Sequence, residues 1–505
     1  MRGNLTSTCV APLEHTTAEE AGATLGTLNI TRGFWRATNK SDSILACFNA
    51  DACSGGPTGA ETFCAPGYKG PYCAVCENGY APSLSYTCTR CSSSTRLGFL
   101  AATIVAALAV VSAIIAIFKL LMSNELEDRN IGWFNRRVLR ALPVQALKII
   151  VVMWQILTQF ADAANTTYPG VYQDCLSVIG VVNFDLGSIL ASGCVWSDID
   201  FHDRLLVSTL GPLVIVGFLV MTYQIAVRRT GAVSNTAVAE KIQHRHQTAL
   251  LLLTFLVYSS VSSMVFQTFA CETLDDGVEY LRADYRIHCT DEKHKSFEVY
   301  AGFMIVVYPV GIPLLYAILL YQHRDVLSDA GADKTGAQSI SSLWEPYRPE
   351  RFYYEVVECG RRIMLTGAVV FIFPDDAAQV AVTMLISFVF FAVFDVLSPY
   401  KSESDMWLSR GGHVIVFFSM FDLLLLKVDV SSESDQSQAI FAGVLVAGHV
   451  LMILAIVVEV AGIYFASRRK PVAGGASVSP SLNCPESRPR IGSDDTPVFQ
   501  SVPAS

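Results

Sequence analysis

The sequence predicts an all-α membrane protein that crosses the bilayer about nine times and carries a small disulfide-rich region at its N-terminus. Hydrophobic residues make up 52% of the chain, only 16% of residues are charged, and long apolar runs recur along most of its length. A typical soluble domain has about 25% charged residues, and the mean hydropathy here is +0.41. This number of charged residues is too small to cover a water-exposed surface. We therefore expect lipid to solvate much of the chain.

The first 96 residues form a cysteine-rich segment that we expect to lie outside the cell or in a lumen. The stretch CAPGYKGPYC (64–73) has the C-x-x-G-aromatic-x-G-x-x-C spacing of half an EGF-like module. Its glycines permit tight turns in a hairpin too short to bury a core, and disulfides replace that core. The C-x-x-C pairs also fit a zinc knuckle, but nearby glycosylation sequons favour disulfides, so we predict no metal. The segment caps the membrane region or binds a ligand or matrix.

Nine apolar stretches are long enough to span the hydrocarbon core, which needs about 20 residues. They cover residues 97–122, 139–161, 205–227, 247–270, 298–321, 355–374, 377–397, 408–427 and 438–467. A tenth stretch, 175–194, is interrupted by polar residues and glycines, and we interpret it as a segment that dips into the membrane or lies flat on it. The predicted domains are therefore 1–96, a helical bundle over 97–467, and a disordered cytoplasmic tail over 468–505, which is rich in Ser, Pro and Gly.

Three patterns orient the bundle with its N-terminus outside and its C-terminus in the cytoplasm. Basic residues cluster in alternate loops, as the positive-inside rule requires. The glycosylation sequons all fall in segments that this rule places outside: Asn4, Asn29, Asn39 and Asn165. Twelve of the 14 cysteines also fall there, and we predict that they pair: Cys9, Cys47, Cys53, Cys64, Cys73, Cys76, Cys88, Cys91, Cys175, Cys194, Cys271 and Cys289. We expect the plasma membrane or another membrane of the secretory pathway.

The start of the chain, MRGNLTSTCV, has no apolar signal-peptide core. Either the first span translocates the N-terminus, or an upstream segment is missing from the sequence, which is the interpretation we favour.

Four ionisable residues lie inside predicted spans, where a charge costs about 2.5–3.5 kcal/mol on insertion scales. They are Asp422, Lys148, Glu459 and His449. Together they could line an ion path or proton relay, and separately each could form a structural pair between helices. In the fifth span, Pro309, Gly311 and Pro313 predict a break in the helix, which serves as a gating hinge or as a fixed bend.

Long matching stretches resemble a family of large membrane proteins from algae and other protists. They include GFWRATNKSDSILACFNADAC, CAPGYKGPYCAVCENGYAP, CETLDDGVEYLRADYRIHC and YAGFMIVVYPVGIPLLYAILL, with EPYRPERFYYEVVECGRRIMLTGAVVF further along. Those proteins are commonly labelled transient-receptor-potential-like (TRP-like), and the resemblance covers about residues 30–470. It implies cation conduction, of Ca2+ or monovalent ions, without locating a pore.

The residues themselves support a channel only in part. The outer connections near the C-terminus, 373–379 and 428–437, are too short for a pore helix and filter, so a path would lie between helices or along residues 161–204. A non-conducting receptor or adhesion protein is the main alternative, and an ion or lipid transporter is the third. No catalytic motif or cofactor site stands out, and the net charge of −9 argues against nucleic acid. We expect the lipid bilayer as partner, with room for an extracellular ligand and for an oligomer.

Overall fold

The computed structural model describes residues 13–17, 24–56, 63–82, 87–92, 144–163, 168, 170–183, 199–229, 236–372, 377–428 and 435–469. Within these ranges the chain is mostly helical, and six helices are long and apolar enough to cross a membrane. A helical multi-span protein with a disulfide-rich N-terminal region is thereby confirmed, whereas nine spans are not. The first predicted span, 97–122, lies outside the described residues.

The N-terminal segment, whose described residues between 13 and 92 we call the head, is built from short antiparallel hairpins. Its strands are β1 (Thr16–Thr17), β2 (Asn29–Ile30), β3 (Phe34–Trp35), β4 (Leu45–Ala46), β5 (Tyr68–Lys69), β6 (Val75–Cys76), β7 (Tyr80–Pro82) and β8 (Cys88–Arg90). They form four separate two-stranded sheets, in which β1 pairs with β2, β3 with β4, β5 with β6 and β7 with β8. Such small sheets bury little apolar surface, so cross-links must supply part of the stability.

Three disulfides close successive loops of the head: Cys47–Cys53, Cys64–Cys73 and Cys76–Cys88. Cys91 is disulfide-bonded as well. Gly67, in the predicted EGF-like stretch, has a φ of 94°, and a Cβ there would lie 2.5 Å from the ring of Tyr80. Only glycine fits this turn, because a side chain would meet both backbone strain and a ring.

The membrane region contains twelve α-helices within the described residues. They are α1 (Val144–Ala163), α2 (Gly170–Ile179), α3 (Phe201–Arg229), α4 (Thr236–Gln267), α5 (Glu292–Ile305), α6 (Gly311–Gln322), α7 (Arg324–Ser328), α8 (Ser341–Trp344), α9 (Tyr354–Thr366), α10 (Ala377–Leu397), α11 (Glu403–Lys427) and α12 (Asp435–Arg469). One large core joins α1 and α2 to α10, α11 and α12, and a second surrounds α4, α5 and α6.

A three-stranded hairpin connects α4 to α5, and we call it the α4–α5 hairpin. Its strands are β9 (Cys271–Thr273), β10 (Glu279–Leu281) and β11 (Asp284–His288), ordered β11-β10-β9. The Cys271–Cys289 disulfide closes its base, which confirms the prediction that these two cysteines are disulfide-bonded. We call this end of the bundle the disulfide end.

Helices α5 and α6 form one apolar rod interrupted by a π-helical turn at Val306–Val310. Pro309 lacks an N–H and cannot continue the α-helical hydrogen bonds, and widening the turn accommodates it. A Cβ at Gly311 would lie 2.8 Å from the carbonyl oxygen of Val306, so glycine is required there. Pro313 follows within the first turn of α6, where a missing N–H costs little.

The sixth predicted span is wrong as a single helix over 355–374. Helix α9 has 13 residues and ends at Thr366, and a 3-10 turn over Ala368–Phe371 follows it. At Gly367 a Cβ would lie 2.4 Å from the ring of Phe266, so the chain bends where α4 presses against it. A helix of 13 residues is about 20 Å long, short of the hydrocarbon core.

Not every predicted cross-link or sequon is placed by the structure. Cys175 is a free thiol on α2, half-buried among apolar neighbours, so its predicted pairing with another cysteine is wrong. Cys9, Cys194, Asn4 and Asn165 lie outside the described residues. Asn39 is exposed and Asn29 is half-buried in β2.

Candidate functional site: a re-entrant helix in a polar layer

Helix α2 turns back along α1 into the interior of the bundle. The 3-10 turn that follows it, Gly180–Asn183, ends beside the middle of α1, where Gln155 Nε2 donates to the carbonyl of Val182 over 2.9 Å. Gln155 lies eight residues before the end of α1, which corresponds to about 12 Å along the helix axis. Helix α2 and its turn are therefore a re-entrant segment, and we call Gly180–Asn183 its tip.

Side-chain amides and hydroxyls from α1 and α4 surround the tip. Asn183 Oδ1 accepts from Gln159 Nε2 over 3.1 Å, and Asn183 Nδ2 donates to Thr158 Oγ1 over 3.0 Å. Gln159 also donates to Ser260 and accepts from Ser259 of α4. These hydrogen bonds satisfy non-helical backbone and polar groups that lipid could not satisfy. We call this set the polar layer.

Arg362 of α9 completes the polar layer from the other side of α1. Its Nη2 donates to Gln155 Oε1 over 2.7 Å and to the carbonyl of Phe255 over 3.1 Å. The guanidinium lies 5.0 Å from the ring centroid of Phe255 and 5.2 Å from that of Tyr258. Its residue is only 1% exposed, so one amide, one carbonyl and two aromatic faces hold a fully buried cation.

The other two cations near α9 have carboxylate partners. Lys148 Nζ lies 3.3 Å from Glu355 Oε2, and Arg361 Nη2 lies 2.5 Å from Glu358 Oε1. Tyr347 also donates its hydroxyl to Glu355 over 2.8 Å. Lys148 therefore anchors the start of α1 to the start of α9, at the end of the bundle opposite the disulfide end.

A second polar cluster surrounds the beginning of α2. The hydroxyl of Tyr172 lies 2.9 Å from Ser419 Oγ of α11 and 3.2 Å from His449 Nε2 of α12. Tyr168 donates to the backbone carbonyl of Ser419 over 3.0 Å, and its ring meets Tyr172 edge to face. Helix α2 is thus wedged between α1, α11 and α12 and has polar contacts at both of its ends.

Asp422 of α11 belongs to this second cluster. It is 3% exposed and close enough to Tyr168 and Tyr172 to interact with them electrostatically. Its Oδ2 is buried and has no hydrogen-bond partner among the described residues. A desolvated carboxylate oxygen without a partner is costly, and it is a ready acceptor for a cation.

The four predicted intramembrane residues do not all meet. Asp422 and His449 both lie around the start of α2. Lys148 is near the far end of α1, a helix about 30 Å long, so it belongs to a separate contact. Glu459 lies on α12, and its side chain is outside the described part of the chain.

The predicted hinge residues lie at the π-helical turn, which is tied to α3. Tyr308, buried within the turn, donates its hydroxyl to the backbone carbonyl of Thr209 over 2.5 Å. Thr209 Oγ1 also lies 2.6 Å from the hydroxyl of Tyr300, which is on α5 before the π-helical turn. Any change in the bend of the α5–α6 rod would therefore act on α3.

The head docks on the α4–α5 hairpin. Tyr72 of the head donates to Glu272 Oε1 over 2.6 Å, while Tyr285 of the hairpin donates to Glu272 Oε2 over 2.7 Å. The rings of Tyr72 and Tyr285 lie 5.3 Å apart and pack with Trp35 and Phe48. Tyr72 has a φ of 55°, a strained conformation that aims this ring at the hairpin.

No known protein family, curated protein or solved structure matches the chain. The assignment of a function consequently depends on the residues and contacts described above.

Sequence reasoning missed the polar layer, although a signal was present. Gln155, Thr158 and Gln159 have the i, i+3, i+4 spacing of one helix face, and serines cluster over 259–263. Arg362 lies inside the predicted span 355–374, close to its start, where a charge is not unusual. Uncharged polar residues cost less free energy to insert into a membrane than charged ones. A search for ionisable residues within spans therefore does not find them.

Proposed function

We propose that this protein is a channel-type membrane transport protein in which cations pass alongside the re-entrant segment. The observation that carries the proposal is the position of the tip, whose backbone lies near the middle of α1 and bonds to Gln155. Non-helical backbone at membrane depth is tolerated only where it is buried in protein or lines an aqueous path. Half-helices of this kind build selectivity filters and substrate sites in channels and transporters.

The charge at the start of α2 supports a cation as the conducted species. Asp422 presents a buried carboxylate oxygen that has no partner among the described residues, and Tyr168 and Ser419 add oxygen atoms nearby. Oxygen ligands suit alkali and alkaline-earth cations. The resemblance to TRP-like proteins supports the same proposal, as does the acidic α4–α5 hairpin at the disulfide end, which would attract cations.

Cation flux into liposomes that contain the purified protein tests this proposal. We expect Asp422→Asn to reduce the flux at least tenfold or to change its ion preference, because the substitution removes the buried charge and preserves the shape. The matched control is Asp395→Asn, since Asp395 is half-exposed and pairs with Arg410 over 2.9 Å near a helix end. Flux that is equal in all three proteins would remove Asp422 from the path, and no flux in correctly folded wild type would refute conduction.

A cell-surface receptor is the second candidate, and docking of the head favours it. The Tyr72–Glu272–Tyr285 contact joins a disulfide-bonded head to the loop between two membrane helices. A ligand that altered the head would act on α4 and α5 directly, with no need for ion flow. Absence of flux would support the receptor if hydrogen exchange in α5 also changed when a substitution of Tyr72 weakened the docking of the head.

A further inference from the structure

Two buried histidines face each other where α3 and α5 begin. His202 Nε2 and His294 Nδ1 are 3.1 Å apart, and the two side chains are 2% and 0% exposed. The ring of Phe297 stacks on His202 with centroids 4.3 Å apart. The pair therefore lies in a dry contact at the disulfide end, outside the polar layer and the Asp422 cluster.

Each histidine also faces a carboxylate with its second ring nitrogen. His202 Nδ1 lies 3.6 Å from Asp200 Oδ2, and His294 Nε2 lies 3.8 Å from Glu298 Oε1. Both of these ring nitrogens are buried and have no hydrogen-bond partner in the described structure. The order of groups is thus carboxylate, imidazole, imidazole, carboxylate.

Counting protons shows that this row of four groups lacks one proton: with both rings neutral, the two outer ring nitrogens cannot both carry an N–H. Two neutral imidazoles carry two N–H protons, and one of these occupies the contact between the rings. Only one proton is left for the two outer nitrogens, so one nitrogen lone pair must face a carboxylate. A third proton would give each outer nitrogen a donor and leave a single positive charge between two negative ones.

The remaining charged neighbours keep the Asp200 carboxylate ionised without supplying the missing proton. Burial raises the pKa of Asp200, but hydrogen bonds from Lys293 and the backbone of Asp203 outweigh it and hold that pKa below its usual value. Asp291 adds negative charge near His294, and the backbone of Thr268 also faces that ring. The nearby Cys271–Cys289 disulfide does not titrate.

We propose that His202 and His294 form a proton-binding site that takes up a single shared proton on acidification. The hydrogen bond between the two rings ties α3 to α5, and Asp200 and Glu298 stabilise the positive charge. The 3.1 Å separation is a hydrogen-bond length, and the described residues bring no unbonded third ligand for a metal ion. A second proton on the pair would place two like charges 3.1 Å apart, so the two rings share one titration step. The site is independent of whether the protein conducts ions.

Histidine-selective 15N NMR of the full chain in nanodiscs, between pH 8 and pH 5, tests the site. We expect the rings of His202 and His294 to respond together, with one proton taken up between them. His294→Gln should abolish this joint response, and His288→Gln, which alters an exposed histidine on the adjacent hairpin, should preserve it. Glu298→Gln should move the midpoint to lower pH by about one unit, because it removes a negative charge beside the pair.

Two results in the wild-type titration would overturn the proposal, and a Zn2+ experiment could give a third. Independent titration of the two rings, or no response of either ring over this range, would exclude a shared proton. Addition of stoichiometric Zn2+ at pH 7.5 tests whether the pair binds a metal ion instead of a proton. If Zn2+ bound both rings and displaced the proton uptake, the pair would be a metal site.

Discussion

The hydrogen bonds that the structure describes for Arg362 go to uncharged groups, and Glu358 is close enough to interact with it electrostatically. The groups in direct contact with the guanidinium are an amide, a carbonyl and two rings, and none of them neutralises its charge. The Gln155 side chain that accepts from Arg362 also donates to the tip. The cation thereby polarises an amide whose other end holds the re-entrant segment, and the two bonds strengthen each other.

Replacing Arg362 should destabilise the bundle and loosen the tip. Arg362→Met leaves Gln155 Oε1 without its charged donor, which we expect to cost about 2 kcal/mol, since a hydrogen bond to a charged group contributes about 1.5–3 kcal/mol. Thermal unfolding in detergent measures the loss. Arg410→Met is the matched control, because its exposed pair with Asp395 contributes at most about 1 kcal/mol. Equal effects of the two substitutions would contradict the role of Arg362.

At the scale of elements, the π-helical turn between α5 and α6 sets the path of the rod. The turn was anticipated from Pro309 and Gly311, because a missing N–H and a small residue mark breaks in helices. Its π form could not be anticipated, since the choice between a kink and a widened turn depends on Tyr308 reaching Thr209 of another helix.

Adding a methyl group at Gly311 should destabilise this turn. A Cβ there meets the Val306 carbonyl at 2.8 Å, so we expect Gly311→Ala to cost about 1–3 kcal/mol, as overpacking does. The control is Gly302→Ala on α5, where a Cβ has open space and alanine favours the helix by up to about 1 kcal/mol. The melting temperatures of the two variants should move in opposite directions. Movement of both in the same direction would show that the close contact has no energetic consequence.

At the scale of the whole molecule, the head and the membrane region share one apolar cluster. Leu274 and Tyr285 of the α4–α5 hairpin are buried in the same core as Trp35, Phe63 and Val75 of the head. The head is therefore attached to the bundle through packing as well as through the chain, and α5 continues directly from the hairpin.

Weakening the Glu272 contact should loosen the head as well as the hairpin. In Glu272→Gln a single amide oxygen replaces two carboxylate oxygens, so either Tyr72 or Tyr285 loses its acceptor. We expect a loss of about 1 kcal/mol at this partly exposed site, which corresponds to about fivefold faster hydrogen exchange in residues 34–48. Glu279→Gln, on the exposed face of the neighbouring strand, should leave the head unchanged. Faster exchange in the hairpin alone would show that the two parts are not coupled.

The sequence predicted the membrane class, most spans and the presence of disulfides because these depend on local composition and spacing. Helix α10 begins and ends where its apolar run does, at Ala377 and Leu397. Contacts between distant segments could not be predicted: Gln155 meets Val182, and Tyr72 meets Glu272 across 200 residues. Cys175 was assigned to a disulfide because its segment was predicted to lie outside, and that location does not determine where a thiol packs. The tertiary arrangement decides such contacts.

The shared core also constrains the order of events during synthesis. Trp35, Phe48 and Tyr72 leave the ribosome about 200 residues before Leu274 and Tyr285, which cover them in the finished protein. At about 5–20 residues per second, the aromatic face of the head stays uncovered for roughly 10–40 s. During that interval the head is an incomplete fold, and it becomes complete only when the loop between α4 and α5 reaches it.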